Sequence, residues 1–306
     1  MWAGFYGNYP NATYLTEEDK KHLRGSPFFF QSDVTLPAPP SGMEWKLSPA
    51  SDEFTYTASP DKKPGAFELR WECAFINPWT GPGKTLWSAG HFHVTNGSLA
   101  ITATRKQGTD GVLTGILTSR DHVQYPAYVE ARVKISNQVL ASNVWMLSDD
   151  STEEIDVIEA YGGDRPDNQW HAERLHLSHH VFIRKPFQDY QPTDDGSWYW
   201  NGTTWRDGFH RVGVFWRDPW HLEYYVDGKL VRTVSGREKI DPHGYTGGKG
   251  LTKPMRIIIN MEDQDWRSTA GVTPTDEELA DNQRNIMWVD WIRVYEGVQT
   301  KQIPAQ

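Results

Sequence analysis

The stretch LEYYVDGKLVRTV, residues 222–234, has the pattern of two β-strands joined by a tight turn. β-Branched and aromatic residues occur in both halves, and Asp227-Gly228 stands between them. An Asp-Gly pair at this place is a strong hairpin signal, because both central residues of the tight turn must take positive φ angles. The stretch therefore predicts an antiparallel β-hairpin.

Other segments of the chain show the same strand-like pattern as this hairpin. Five more segments alternate apolar and polar residues with a period of two: 98–104, 128–135, 211–216, 255–260 and 287–295. Helical patterning late in the chain is confined to residues 275–280. Many short strands with few helices predict an all-β sandwich or barrel. Residues 187–205 are polar and aromatic, and we interpret them as a functional loop.

The chain is long enough for one large β-domain. About 250 residues is an ordinary length for an all-β domain. Residues 1–42 are interpreted as an N-terminal extension or linker of unknown role, with a helix-like piece at 16–23 and a Pro-rich end at 36–42. The main domain is placed at 43–298, and a C-terminal tail at 299–306.

Charge and composition exclude several classes of protein. The net charge is -9, which disfavours nucleic acid as a partner. Cys73 is the only cysteine, so no intramolecular disulfide or cysteine zinc site is expected; we expect a buried core thiol in a strand over 71–75. No run of about 18 apolar residues is present, so we expect no membrane span. Residues 1–10 do not resemble an export signal.

Aromatic residues are unusually frequent. The sequence has 15 Trp, 13 Tyr and 12 Phe, more indoles than the core of one sandwich needs. Flat aromatic faces stack well on the apolar faces of sugar rings, as they also do on cations and nucleic-acid bases. The count points weakly to a carbohydrate ligand.

An acidic strand, EIDVIE at residues 154–159, lies further back in the chain. In a regular strand Glu154 and Asp156 share one face, but strict alternation would bury Glu159 in the core. A buried unpaired carboxylate is costly. One β-bulge between Asp156 and Glu159 shifts the phase and returns all three acids to one face.

Crowded carboxylates indicate chemistry. Close acids cannot all ionise at neutral pH, so at least one pKa rises, and acids with separated pKa values are what glycoside hydrolysis uses. A solvated edge strand or a calcium loop is the alternative, although the EF-hand pattern is absent. On residue types alone both interpretations stay open.

The residues around this strand resemble glycoside hydrolase family 16, β-agarase branch, with the β-porphyranases as close relatives. The resemblance covers roughly residues 45–297, and residues 1–40 lie outside it. Its motifs are Glu154-x-Asp156-x-x-Glu159 itself, INPWTGPG (76–83), NVWMLSDDSTEE (143–154), ERLHLSHHVFIR (173–184), FQDYQP (187–192) and VDWIRVY (289–295). The resemblance implies a β-jelly-roll sandwich of two antiparallel sheets with a concave substrate cleft.

The resemblance also implies catalytic roles. Glu154 would be the nucleophile that forms a glycosyl-enzyme intermediate, and Glu159 the general acid and then the general base. Asp156 would lie between them and hydrogen-bond Glu154. No cofactor is expected for catalysis.

Further residues are expected to bind substrate. Asn143 and Trp145 lead into the acidic strand, and the resemblance makes Trp145 the floor of the subsite whose sugar is attacked. Trp79 follows a turn pair and is a candidate loop platform. By resemblance, one cleft histidine, taken as His179, and the residues Arg184, Glu262 and Trp266 also contact substrate.

Two parts of the sequence bear on metal binding. The histidines at 176, 179 and 180 do not have the H-E-x-x-H pattern, so we reject a zinc site. Many family members carry a structural calcium with an Asp in the last strand, and Asp290 fits that position. A structural calcium at Asp290 is therefore an expectation from the resemblance.

The sequence thus predicts a retaining endo-β-1,4-glycoside hydrolase that cleaves agarose to neoagaro-oligosaccharides. Its partner would be a red-algal galactan, and the protein would act as a monomer, outside the cell, on the cell surface or in the periplasm. A β-porphyranase acting on a sulfated galactan is the nearest alternative, since it uses the same acids. A non-catalytic galactan-binding jelly roll is the alternative from another class.

Overall fold

The computed structural model describes residues 36–300. The helix-like piece at residues 16–23 lies outside the described residues. Within 36–300 no helix is long and apolar enough to cross a membrane.

Two β-sheets make up the domain. The first sheet contains ten strands: β1 (Met43–Leu47), β3 (Thr85–Trp87), β4 (Phe92–Thr95), β5 (Ser98–Arg105), β6 (Val112–Thr114), β8 (Ala127–Lys134), β14 (His210–Asp218), β15 (His221–Val226), β16 (Lys229–Ser235) and β18 (Ile286–Gln299). The second sheet contains eight: β2 (Trp71–Glu72), β7 (Ile116–Val123), β9 (Ala141–Ser148), β10 (Glu153–Ala160), β11 (Leu175–Arg184), β12 (Phe187–Tyr190), β13 (Trp198–Tyr199) and β17 (Met255–Glu262).

Short helices connect some of these strands. The α-helices are α1 (Gly65–Glu68), α2 (Gln169–Ala172), α3 (Arg237–Ile240), α4 (Asp265–Thr269) and α5 (Asp276–Ala280). Within residues 36–300, three 3-10 turns cover Pro166–Asn168, Asp195–Ser197 and Trp205–Asp207. The predicted helix at 275–280 is confirmed as α5, and a capping box between Thr275 and Glu278 fixes its start.

The order of the strands explains the layers. The second sheet runs β12-β11-β10-β9-β17-β7-β2, with neighbours antiparallel, and β10 packs on β14 and β8 of the first sheet. In the first sheet, β3 and β6 pair in parallel and the other pairs are antiparallel. Alternate residues of the facing strands form one hydrophobic core between the sheets. The predicted all-β sandwich is confirmed.

The hairpin at residues 222–234 is also confirmed. Val226 pairs with Lys229, and Asp227 and Gly228 take φ angles of 49° and 78° between the strands. Both central residues therefore have the positive φ that the turn demands.

Two local predictions are wrong. The segment 187–205 is not all loop, because β12 and β13 pair with β11 and extend the second sheet. The strand predicted at 71–75 ends at Glu72, so Cys73 is only half-buried, although it still packs against the core.

Candidate active site

The acidic strand β10 contains the predicted bulge. Asp156 pairs with Ser178 of β11 and Glu159 pairs with His176, so three steps on β10 face two steps on β11. One extra residue on β10 is the definition of a β-bulge. The bulge predicted between Asp156 and Glu159 is confirmed.

The bulge sorts the side chains between core and cleft. Ile155, Val157 and Ile158 are buried in the core between the sheets. The three acids lie on the opposite face and line a cleft with a volume of about 760 Å³. The bulge therefore allows neighbouring apolar and acidic residues of β10 to lie in suitable surroundings, the apolar ones in the core and the acids in the cleft.

The cleft collects most of the residues that the sequence singled out. Six predicted substrate-binding residues line it together with the acids: Trp79, Asn143, Trp145, Arg184, Glu262 and Trp266. Their contacts with substrate stay predictions.

Glu159 has three polar neighbours. Tyr161 Oη donates a hydrogen bond to Oε1, Gln264 Nε2 lies 3.3 Å from the same oxygen, and His176 Nδ1 lies 2.7 Å from Oε2. Burial alone raises the pKa of Glu159, but the hydrogen bonds from His176 and Tyr161 outweigh it and hold that pKa below its usual value.

Glu154 and Asp156 share a different neighbour. Burial first, and then repulsion by Asp156, raises the pKa of Glu154 well above its usual value. Burial also raises the pKa of Asp156, to about 6, against the effect of His180. His180 Nε2 lies 3.9 Å from Glu154 Oε1 and 3.8 Å from Asp156 Oδ2, between the two carboxylates.

His180 acts as the cation of the acid cluster. Its Nδ1 lies 2.8 Å from Asp189 Oδ1 on β12. Burial lowers the pKa of His180, but the hydrogen bond that it donates to Asp189 and the charges of Glu154 and Asp156 raise it to about 10. A protonated imidazolium therefore offsets part of the repulsion between the acids.

We expect His180→Gln to move the acidic limb of the kcat profile, which reports the enzyme–substrate complex, to higher pH by about one unit. A nearby cation lowers the pKa of a carboxylate, so its loss raises the pKa of Glu154, the predicted nucleophile, which would have to be ionised to attack. The pH dependence of kcat measures this shift. The matched control is His210→Gln, which breaks a similar pair outside the cleft, with His210 Nδ1 3.0 Å from Asp227 Oδ2. An acidic limb that stays in place in His180→Gln would contradict this role.

Trp145 lies on β9 at the base of the cleft. Its Nε1 donates a 2.7 Å hydrogen bond to Asn260 Oδ1, and its ring stacks on Phe75 with centroids 6.0 Å apart. Only 7% of Trp145 is exposed. The indole is therefore anchored by the sandwich while one part of it lines the cleft, so the core and cleft interpretations both hold.

Glu262 belongs to the same buried polar group. Asn260 Nδ2 donates to Glu262 Oε2 at 2.9 Å, and Gln264 Nε2 donates to Oε1 at 2.8 Å. Burial and the charge of Glu159 raise the pKa of Glu262 to about 8. Asn143 pairs with Glu159 on β10 and with Asn260 on β17, so this group borders the predicted general acid.

Trp79, Trp266 and Arg184 line the outer parts of the cleft. Trp79 is 46% exposed and meets Phe75 edge to face at 5.1 Å. Trp266 is 51% exposed and meets Tyr161 edge to face at 6.1 Å. Arg184 Nε donates to the Ser151 carbonyl, which orients its guanidinium. Exposed, anchored rings of this kind can stack on sugars.

The prediction for His179 is wrong. This residue is fully buried on the core face of β11, and its Nε2 lies 2.9 Å from the Ile240 carbonyl oxygen. Leu175, Leu177 and Val181 share its face, while His176 and His180 line the cleft. The alternation of residues along β11 already indicated that His179 lies on the core face, because residues two apart in a strand share a face.

The carboxylate of Asp290 is engaged by Arg132 in this arrangement, and its role as a calcium ligand stays a prediction. Its Oδ2 accepts a 2.6 Å hydrogen bond from Arg132 Nη1, and burial raises the pKa of its carboxyl. A guanidinium at this carboxylate opposes a second cation. No step of the chemistry is assigned to a metal here.

An open cleft on a β-sandwich, lined by aromatic rings and crossed by a bulged strand with two glutamates and an aspartate, defines a glycoside hydrolase. Residues 45–297 match the family described as "Beta-porphyranase A-D, GH16 domain". The chain therefore belongs to glycoside hydrolase family 16, and the predicted jelly-roll fold is confirmed.

Individual relatives narrow the comparison. Beta-agarase AgaA of Microbulbifer thermotolerans is 65% identical over 268 residues, 87% of this chain and 62% of the relative. This chain thus spans less than two thirds of that relative's length. Beta-agarase B of Zobellia galactanivorans is 47% identical over 291 residues, 87% of this chain and 82% of the relative.

The chain is also similar to a solved agarase structure and, at lower identity, to a porphyranase. The crystal structure of an inactivated mutant beta-agarase B in complex with agaro-octaose has a TM-score of 0.85 at 47% identity, covering 88% of this chain and 99% of that chain. Beta-porphyranase B of Phocaeicola plebeius is 26% identical over 326 residues, 94% of both chains. Similarity is thus much higher to these agarases than to this porphyranase.

Proposed function

We propose that this chain is a retaining endo-β-agarase that cleaves agarose to neoagaro-oligosaccharides by double displacement. The observation that carries the proposal is the bulged strand β10, which turns Glu154, Asp156 and Glu159 into one cleft. The agarase relatives indicate the substrate class, and one of them has been crystallised in complex with agaro-octaose.

The mechanism has two steps. Glu154 attacks the anomeric carbon, a carbon–oxygen bond forms to the enzyme, and Glu159 gives its proton to the departing glycosidic oxygen. Glu159 then takes a proton from water, and that water displaces Glu154 from the anomeric carbon. Asp156, between the two glutamates, and the His180 cation adjust the charge of Glu154.

Substrate binding has to redistribute protons in the cleft. In the free protein the pKa of Glu154 is raised by burial and the pKa of Glu159 is lowered by its hydrogen bonds, which is the reverse of what a nucleophile and an acid need. Coupled acids share their protons as a group. A sugar that displaces water around Glu159 disfavours its charged form, so a proton moves to Glu159 when the cleft fills.

The charge of the cleft favours a neutral galactan. Among the lining residues that the structure describes, Arg184 is the one guanidinium, joined by two histidines. Six carboxyl groups line the same cleft: Asp150, Glu154, Asp156, Glu159, Asp189 and Glu262. A sulfated chain would have to approach these acids, so we rank agarose above porphyran.

A binding module without activity has less support. Aromatic platforms would be sufficient for it, whereas three acids crowded around a buried imidazolium would only add repulsion. A wild-type protein that bound agarose without cutting it would favour this second candidate.

The test is a time-resolved proton NMR digest of agarose, with porphyran in parallel. We expect β-anomeric galactose reducing ends on agarose before mutarotation. An initial α-anomer would contradict retention. Cleavage of porphyran alone would move the substrate to the sulfated galactan.

We also propose that the protein acts outside the cytoplasm as a monomer. A galactan polymer is too large to enter a cell intact, so the enzyme has to meet it outside. Size-exclusion chromatography with light scattering tests the oligomeric state, for which we expect one chain of 35.1 kDa.

A further inference from the structure

Three indoles outside the predicted substrate-binding set form a surface patch, here called the outer indole platform. It consists of Trp170, Trp198 and Trp200, with Arg174 among them. The ring centroids of Trp170 and Trp198 lie 5.2 Å apart, and Arg174 Cζ lies 4.3 Å from the Trp170 centroid and 5.9 Å from that of Trp200. Trp170 is 49% exposed and Trp200 is 55% exposed.

The local sequence turns these rings outward. Trp198 and Trp200 flank Tyr199, and alternate residues of an extended segment share a face. Tyr199 packs on the buried Trp205, with centroids 6.0 Å apart, so the two tryptophans beside it face the other way. Packing the half-buried Tyr199 against the core thus leaves Trp200 exposed and Trp198 half-buried on the other side of the segment.

Arg174 holds the platform in place. Its Nη1 donates a 2.8 Å hydrogen bond to the Trp170 carbonyl oxygen, and its guanidinium lies over the Trp170 ring. Exposed indoles without a packing role are uncommon on soluble proteins, and a group of them indicates a binding surface. An arginine among them adds donors for sugar hydroxyls.

The platform is continuous with the cleft on the side of the general acid. Trp198 lines the cleft and stacks on His176 at 4.3 Å, and His176 Nδ1 lies 2.7 Å from Glu159 Oε2. From Trp198 the rings lead to Trp170 and Trp200. The general acid faces the departing half of the substrate, so the platform extends the path of that half.

We propose that the outer indole platform binds further galactan units of the departing half, beyond those held in the cleft. The proposal rests on the proposed agarase function. Its ligand is a neutral galactan, because Trp170 and Trp200 offer flat apolar faces and the neighbouring cleft is acidic. Stacking on rings beyond the cleft adds affinity only for chains long enough to reach them.

The test compares a long and a short substrate. For the double variant Trp170→Ala/Trp200→Ala we expect a roughly tenfold higher KM on agarose polymer, about 1.4 kcal/mol, with kcat unchanged. On a neoagaro-tetraose, which is too short to fill the cleft and also reach the platform, we expect KM and kcat within about twofold of wild type. By analogy with base stacking, each lost ring removes only its own contact with the sugar chain. Trp170→Phe/Trp200→Phe keeps flat rings and should restore most of the affinity.

The control is Leu230→Ala on β16, which removes a side chain of a residue 52% exposed outside the cleft. An equal loss on polymer and tetrasaccharide, or no loss on polymer, would overturn the platform while leaving the agarase function intact. Wild-type protein that leaves agarose uncut would instead overturn the proposed function, and the platform's galactan ligand with it.

Discussion

Glu154→Gln is expected to lower kcat on agarose by roughly ten-thousandfold or more, the size of effect seen when a catalytic nucleophile is removed. Gln keeps the shape of Glu154 and removes only the charged oxygen that attacks the anomeric carbon. Binding should remain, so calorimetry with agaro-oligosaccharides should still report a complex. Reducing-sugar release and calorimetry on the same sample separate the two effects.

The next residue along the chain supplies a matched control. Glu153 points away from the cleft, and its Oε2 accepts hydrogen bonds from the backbone N–H groups of Thr252 and Lys253 at 2.7 and 2.9 Å. Gln at this position keeps an accepting oxygen, so Glu153→Gln should retain most of the activity. An active Glu154→Gln enzyme, or an inactive Glu153→Gln enzyme with unchanged melting temperature, would contradict the assignment.

A small anion can test the role of Glu154 directly. In Glu154→Ala the space of the missing carboxylate is open on the face of the sugar from which it attacks. Azide entering there should restore turnover and give a glycosyl azide of inverted, α configuration. A β-configured azide would mean that another group is the nucleophile.

Much of this site could be predicted from the sequence because strand geometry is local. The alternation of β10 forces a bulge, since regular pairing would bury Glu159, and the structure contains that bulge. The same rule separates the two faces of β11, and applying it strictly would have placed His179 in the core. The Asp227-Gly228 hairpin follows from a demand for positive φ, which is equally local.

Other features depend on contacts between distant segments, which a single sequence does not show. His180 becomes the cation of the cluster because Asp189 reaches it from β12, and that strand was predicted as loop. Asp290 is expected to bind calcium from its place in the sequence, and the hydrogen bond from Arg132 of β8 to its carboxylate became visible only in the fold. Burial and partner charges are set by the assembled sheets.

The second large effect is expected at Glu159. Glu159→Ala should lower kcat on agarose by about 10²- to 10⁴-fold, because the departing oxygen of a natural glycosidic bond needs a proton. A substrate whose leaving group is already a weak base should lose much less in its first step. Azide should restore the second step and give a β-configured glycosyl azide, the opposite configuration from that of Glu154→Ala.

The neighbours of Glu159 allow a finer test of the same role. Tyr161→Phe removes a hydrogen bond that lowers the pKa of Glu159, so that pKa rises. In the filled cleft Glu159 holds the proton, and a general acid works while protonated, so the basic limb of the kcat profile should move to higher pH, and the acidic limb should stay. A shift of the acidic limb alone would assign the protonated role to Glu154 or Asp156 instead. Because the two limbs report different carboxyl groups, one pH profile of this variant distinguishes the acid from the nucleophile.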